Sequence, residues 1–455
     1  MEDKALGLMG KFNPDYAEFR QVVNDLTSIS IKDKETTVSS GKSQGIGVRV
    51  LERGSWGMAS SDNLHDLESV FEKALKMASI SRGKSRLSPQ PTHSGRSKTN
   101  LRMAPSEVGI DQKVSDMREI QAMLSGKHIS NRTVSYADSS SSHTFVNSEG
   151  TRIHQLLSRV YLSFTSVAKR GGLMERASGR VGKTSGYEVV KTGFEMACEC
   201  PKRALELLSA KTAPPGRYDV IMDGRMTGLL CHEALGHACE ADGVIAGSSI
   251  LKSRMGSTIA SPLVTIYDNP TIPMAFGSYR FDDEGTESSK TALVSKGKLV
   301  SFLHSRETSN KFGVEPTGNA RAQGFANIPI VRMSNTCMQK GEMDTDELFE
   351  GVRKGIYVKG TSGGCVDTTT GYFIFSAEEG FIIENGRKKE LVRDILLSGN
   401  ILESLKNVDA VGNDFTESPG ICGKMGQGVP VSDGGPHIRT KNLMVGGQGQ
   451  RGFSD

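Results

Sequence analysis

A run of two prolines and a glycine, residues 213–216 (APPG), interrupts this chain near its middle, and neither a helix nor a central strand can continue through it. Because 455 residues exceed what one hydrophobic core normally supports, the break predicts two domains, residues 1–213 and residues 214–455. Glycine is abundant at 52 residues and follows no collagen-like period, which indicates many turns and tight strand corners in both domains.

The N-terminal half alternates strand patterns with helix patterns. Apolar residues alternate with polar ones at 29–31 and at 46–50, as they do in half-buried strands. Residues 83–105 are rich in serine, proline, glycine and lysine and are predicted to form an exposed connection. The serine run 139–142 is predicted to be a loop. Other patterns predict a third strand after 54–57, helices near 62–78, 111–124 and 187–210, and strands near 134–136 and 151–166.

The C-terminal half is predicted to be rich in strands. A short strand at 218–222 precedes Asp223, a candidate N-cap for a helix that ends near Glu240. From residue 263 onward, short apolar runs alternate with glycine and polar turns, and Asn385 and Gly386 form the kind of pair that closes a two-residue hairpin. Further helices are predicted near 344–354 and 392–407.

Composition argues against several classes of function. The net charge of +4 is small for this length, and one tryptophan with nine tyrosines offers no stacking platform, so direct binding to nucleic acid is not expected. No apolar run approaches the length of a membrane helix, and the N-terminus has no pattern of a signal peptide. Seven scattered cysteines fit reduced thiols better than a disulfide framework. These features predict a cytoplasmic protein.

The segment 230–242 (LCHEALGHACEAD) places two imidazoles and a carboxylate in one predicted helix. His232 and His237 could bind zinc while Glu233 accepts a proton from water. Their spacing of five separates them by roughly 140° on a regular helix of about 3.6 residues per turn, so both reach one metal only if the helix bulges or ends near Gly236. A regular helix would instead pair Glu233 with His237, as a metal ligand or as support for a core histidine. Ordinary polar residues of a helix are the remaining alternative.

A second candidate segment, residues 420–430, places Cys422 among glycines and close to Lys424. A thiolate is an excellent zinc ligand, glycines allow backbone to wrap closely around a site, and Lys424 is expected to lower the pKa of the thiol. The alternative is an ordinary cysteine in a glycine-rich loop.

Several ordered motifs together resemble the TldD/PmbA family of metallopeptidases, and the resemblance extends over nearly the whole length. It is densest from residue 216 onward. The segments that carry it are HEALGHACEAD at 232–242, RFDDEGT at 280–286, PTGNAR at 316–321 and ICGKMGQGVPV at 421–431, supported by GIGVR at 45–49 and GYFIFS at 371–376.

The resemblance implies an α+β fold, with an N-terminal α/β domain built on an antiparallel sheet and a C-terminal β-rich domain that carries the metal-site helix. It implies zinc bound by His232, His237 and Cys422, with Glu233 as the catalytic base. The implied substrates are extended or unfolded peptides. Family members form dimers around an enclosed cavity, so a homodimer or a heterodimer with a PmbA-like relative is expected. The alternative function is a non-catalytic subunit that binds peptides or a partner.

Four weaker candidates remain. Glu240 is a candidate hydrogen-bond acceptor for His237, with surface exposure as the alternative. His304 and His437 are candidates for stabilising a transition state, although nothing in their neighbourhood supports the role. The segment 447–452 matches GxGxxG but leaves no room for a following helix, so we predict a flexible tail there and no dinucleotide loop.

Overall fold

A computed structural model describes residues 1–447 of the chain, so residues 448–452 of the GxGxxG match lie outside the described part. The predicted α+β class is confirmed: strands dominate both halves, and helices pack against their sheets. Among the described residues, no helix is long and apolar enough to cross a membrane.

The N-terminal half is a mainly antiparallel sheet with helices packed against it. Its elements are α1 (Glu2–Phe12), β1 (Tyr16–Lys32), β2 (Glu35–Glu52), β3 (Ser55–Ser61), α2 (Leu67–Ser79), β4 (Ser94–Lys98), α3 (Ile110–Met123), β5 (Ile129–Asn147), β6 (Arg152–Arg170), β7 (Leu173–Lys183), α4 (Val190–Ala197) and α5 (Glu199–Ser209). The strands follow the order β3-β2-β1-β5-β6, and β4 and β7 share the outer edge of β6. The region predicted as an exposed connection is largely exposed, yet it contributes β4, which runs parallel to β6.

The loop predicted at residues 139–142 is wrong, because all four serines lie inside β5. Ser141 pairs with Asn24 of β1 on one side and with Leu157 of β6 on the other. A central strand satisfies its backbone groups through both neighbours, so serines are tolerated there when no glycine or proline interrupts the run. The composition of the run therefore gave the wrong prediction.

The C-terminal half holds a closed ring of strands and a second, open sheet. Its elements are β8 (Lys211–Thr212), β9 (Gly216–Met222), α6 (Gly224–Leu229), α7 (Ala241–Ala246), β10 (Ile266–Asp268), β11 (Thr291–Ser295), β12 (Lys298–Leu299), α8 (Arg306–Phe312), β13 (Ala320–Arg321), β14 (Ile330–Val331), β15 (Asn335–Met338), α9 (Thr345–Glu350), β16 (Lys354–Asp367), β17 (Tyr372–Glu384), β18 (Arg387–Arg393), β19 (Ile395–Asn400), α10 (Ile401–Lys406), β20 (Val408–Val411), β21 (Thr416–Lys424), β22 (Gln427–Gly435) and β23 (Ile438–Gly447). Pairing runs β16-β9-β23-β19-β17 and returns to β16, while the open sheet has the order β12-β11-β10-β15-β22-β21.

The helix predicted at 392–407 is wrong over its first half, where the chain forms the end of β18 and then β19. Ile395 and Leu397 are buried with a period of two, which is a strand pattern, and Asp394 between the strands has a positive φ of 56°. Only α10 is helical, and Asn400 caps it by accepting from the backbone N–H of Leu402 at 3.1 Å. The predicted hairpin turn is confirmed, since Asn385 and Gly386 have φ values of 47° and 75° between β17 and β18.

The open sheet contacts the N-terminal half along β7, next to the edge strand β21. Arg180 Nε donates to Ser418 Oγ at 3.2 Å, and Lys183 pairs with Glu417 at 3.3 Å. A methyl group at Gly182 would lie 2.8 Å from Pro419 Cβ, so the two strands approach closely. This contact fixes the start of β21, the strand that carries Cys422.

Candidate metal centre

His232 lies on a π-helical segment, Leu230–Gly236, which continues α6, and His237 begins the 3₁₀ turn, His237–Cys239, that follows it. The backbone N–H of His237 donates to the carbonyl oxygen of His232, five residues earlier. The π turn therefore places the two side chains next to each other, with ring centroids 5.2 Å apart and the planes nearly perpendicular at 84°. A regular helix cannot place two residues five positions apart on the same face, but the wider π turn does so for His232 and His237.

Two features hold the π-helical segment in place. Asp223 caps α6 by accepting from the N–H of Met226 at 2.9 Å, and its other oxygen accepts from the N–H of Gly360 in β16 at 2.9 Å. Gly236 faces Met333 so closely that a Cβ there would lie 2.0 Å from the sulfur. The start of α6 is thus fixed against β16, and the end of the π-helical segment packs against Met333 at Gly236.

Cys422 reaches the histidines from β21, which forms a hairpin with β22. The side chain of Arg332 is fully buried and holds this hairpin: Nη2 donates to the carbonyl oxygen of Cys422 at 2.5 Å, and Nη1 donates to that of Gln427 at 3.1 Å. Met425 and Gly426 close the turn with positive φ values of 50° and 73°. The position of the thiol is therefore set through backbone atoms.

The three predicted metal ligands come together. Candidate ligand atoms of His232, His237 and Cys422 all lie within 4.8 Å of one another, and His237 Nε2 lies 3.5 Å from Cys422 Sγ. Burial opposes ionisation of Cys422, but hydrogen bonds and charge from both histidines lower the pKa of the thiol to about 5. Burial lowers the pKa of His237, whereas its contacts with Cys422 and Glu240 raise it to about 10. Two imidazoles and an ionised thiol are a donor set that fits zinc.

Glu240 is buried beside the cluster, so the alternative of surface exposure is wrong, and its contact with His237 fits the candidate role of hydrogen-bond acceptor. Its Oε2 lies 3.0 Å from Nδ1 of His237, which leaves Nε2 of that ring turned toward Cys422. Burial would raise the pKa of Glu240, but His237 and Lys424 lower it. Lys424 pairs with Glu240 at 3.1 Å and with Asp242 at 2.8 Å. The largest effects that lower the pKa of the Cys422 thiol come from the two histidines, while the Lys424 ammonium is paired with these two carboxylates.

Glu233 occupies the same π-helical segment but stays outside the group of three ligands. Its side chain is half-buried, and within residues 1–447 it has no hydrogen-bond or ion-pair partner. Its charge acts on His232 and on Asp433. A free carboxylate thus lies beside the candidate metal ligands.

The other candidates lie in different surroundings. His304 is buried against Phe302 and Phe312, and burial lowers its pKa to about 4. His437 lies between Asp414, 2.7 Å from its Nδ1, and Tyr357, 3.1 Å from its Nε2. Neither histidine belongs to the group of three ligands.

Sequence reasoning missed Arg332 and Asp433. Arg332 lies 90 residues before Cys422 and carries no local motif, although it holds the hairpin. Asp433 lies on β22, and its carboxylate is influenced by both His232 and Glu233. The glycines that follow Asp433 were the one local signal of close packing at this place.

The fold and the site define an α+β protein with a His-His-Cys group that could hold a metal ion. Three family models match it in order: PmbA/TldA metallopeptidase domain 1 at residues 17–78, the central domain at 104–211 and the C-terminal domain at 215–447. The chain belongs to the TldD/PmbA family of metallopeptidases.

The names of its relatives agree with this family. A metalloprotease of Methanothermobacter thermautotrophicus is 43% identical over 95% of this chain and 96% of its own. A protein of Saccharolobus solfataricus named zinc metalloprotease TldD homolog is 31% identical, covering 94% of this chain and 95% of its own. The crystal structure of TldE from Thermococcus kodakarensis has the same fold, with a TM-score of 0.78 at 19% identity over 98% of this chain and all of that one (100%).

Proposed function

We propose that this chain is a zinc-dependent peptidase in which His232, His237 and Cys422 hold the metal and Glu233 is the general base. The observation that carries the proposal is the convergence of three ligand atoms within 4.8 Å beside the carboxylate of Glu233, which has no hydrogen-bond or ion-pair partner among the described residues. The zinc metalloprotease name of the Saccharolobus relative supports the choice of metal.

The side chains divide the chemistry between them. Zinc, when bound, supplies a Lewis acid that activates water near neutral pH and polarises a carbonyl oxygen. Glu233 accepts the proton of the attacking water and then donates it to the nitrogen of the departing amine. Glu240 holds Nδ1 of His237, which fixes the tautomer and leaves Nε2 free to bind.

The substrate class we propose is an extended or unfolded peptide. β21 is the edge of the open sheet, and among residues 1–447 it pairs with β22 alone. An extended peptide can add to such an edge as a further strand, beside Cys422. Ile421 and Met425 are exposed at 63% and 78% on this hairpin and offer apolar contacts to side chains of the peptide.

The partner we propose is a second chain of the same fold, either another copy or a PmbA-like relative. The likeness to TldE, which has this fold, supports a partner of that kind. A dimer of such chains would enclose the candidate metal centre and restrict access to flexible substrates.

The substrate proposal is tested with one protein in two states. A disulfide-bonded protein and its reduced, alkylated form have the same sequence, so we expect the zinc-loaded chain to cut the unfolded form much faster. Rates are followed by mass spectrometry, with the Glu233→Gln variant as a blank for contaminating proteases. Equal rates on both forms would contradict an extended substrate.

A short peptide gives the second arm of this test. Every second backbone N–H of an added strand points toward its neighbour. Methylation of the nitrogens that face β21 should therefore slow cleavage, whereas methylation of the intervening nitrogens should not. Cleavage that ignores the position of the methyl groups would contradict binding along β21.

A further inference from the structure

Buried polar atoms without a hydrogen-bond partner occur on both sides of the seam between α6 with its π-helical continuation and β22. Within the described part of the chain, they include Nδ1 of His232, Oδ1 of Asp433 and Oγ1 of Thr227. Leaving such an atom unpaired costs about 1–3 kcal/mol, so several at one seam call for an explanation.

Asp433 of β22 packs against the helix that carries His232. A Cβ at Gly228 would lie 2.6 Å from Oδ1 of Asp433, so this carboxylate contacts the helix one turn before His232. Side chains on a helix lean toward its N-terminus, over the preceding turn. Because Gly228 has no side chain, the carboxylate of Asp433 can approach the helix at this point.

Neighbouring groups at the seam act on the pKa of the Asp433 carboxylate. Burial raises the pKa of Asp433 to about 6, and the largest opposing effect comes from His232, followed by Arg180. Glu233 acts in the same direction as burial. His232 is thus the residue whose charge acts most on the Asp433 carboxylate, which agrees with their positions on the two sides of the seam.

We infer that Asp433 is a positioning residue that accepts the Nδ1–H of His232 through one buried water, in the role that Glu240 has at His237. The inference rests on the proposed zinc site. A carboxylate at Nδ1 fixes the tautomer, turns Nε2 toward the metal and raises its basicity, so each metal-binding histidine would have its own carboxylate. Thr227 Oγ1 supplies a further partner for a water at this seam.

The test measures zinc affinity by competition with a chromophoric chelator. Asp433→Ala should retain one zinc site but weaken its dissociation constant about 10–100-fold, the usual effect of losing such a partner. Asp433→Asn keeps an acceptor oxygen and should lose less zinc affinity than Asp433→Ala. Glu240→Gln should weaken binding similarly, whereas Asp414→Asn, which removes the carboxylate partner of His437, should not change it. Melting temperatures of the metal-free forms separate lost affinity from lost folding.

A measurement on the unmodified chain makes the inference independent of how well the variants fold. With ¹⁵N-labelled histidine and zinc bound, His232 should carry its proton on Nδ1, with slow exchange, and the assignment follows from loss of the signal in His232→Gln. Zinc on Nδ1 would overturn the inference. So would wild-type affinity in Asp433→Ala, or complete zinc loss there, which would make Asp433 a ligand. If the wild-type chain binds no zinc, the proposed function fails; if only the Asp433 result is negative, this inference alone fails.

Discussion

Replacing Glu233 with glutamine is expected to leave zinc bound while lowering peptide hydrolysis about 10²–10⁴-fold, the usual contribution of a positioned general base. The amide keeps the shape of the side chain but cannot accept a proton. Zinc should stay because the three candidate ligand atoms converge without Glu233. Zinc content by mass spectrometry and initial rates on an unfolded peptide give the two measurements.

The same substitution separates the two geometries that the spacing of five left open. In a regular helix Glu233 would share a face with His237 and would bind the metal, so Glu233→Ala and Glu233→Gln would both release zinc. In the π-helical segment His232 takes that place beside His237. Glu287→Gln is a suitable control, since Glu287 is an exposed surface residue that forms an ion pair with Arg280. Zinc loss in both Glu233 variants would contradict the role of base.

Changing Cys422 to alanine is expected to remove most of the zinc from a chain that stays folded. The hairpin should survive because Arg332 holds it through the backbone carbonyl of Cys422, which alanine retains. The loss of one buried sulfur costs about 1 kcal/mol, a normal value for a point mutation. The core of the C-terminal half is formed by many other buried apolar residues, so we expect this half to fold without metal.

Zinc content and melting temperature of the metal-free protein check this expectation together. Cys365→Ala, at an exposed thiol on β16, serves as the matched control and should retain full zinc. Full occupancy in Cys422→Ala would exclude the thiol as third ligand.

Local patterns predicted much of the fold where one face of an element is buried. The alternation at 29–31 and 46–50 gave β1 and β2, and Asp223 was identified as a helix cap. Failures occurred where pairing partners decide the structure. The serines at 139–142 become strand because β1 and β6 flank them, and residues 395–400 become β19 because β17 and β23 do.

In the candidate site, too, the sequence predicted what a local motif shows and missed what depends on contacts between distant residues. The motif around His232 and His237 was visible, but the hydrogen bond that widens the helix cannot be deduced from spacing alone. Cys422 lies 185 residues beyond His237, and only the family resemblance joined them at the level of sequence. Arg332 and Asp433 act through contacts that form only after folding, which is why no motif indicated them.

X-ray absorption at the zinc edge of the purified, loaded protein reports which atoms bind the metal. We expect one zinc per chain with a single sulfur neighbour at about 2.3 Å and nitrogen neighbours at about 2.0–2.1 Å. In Cys422→Ser the sulfur contribution should disappear while the nitrogen contribution remains. A loaded wild-type protein without a sulfur neighbour, or an unchanged sulfur signal in Cys422→Ser, would contradict a centre built from His232, His237 and Cys422.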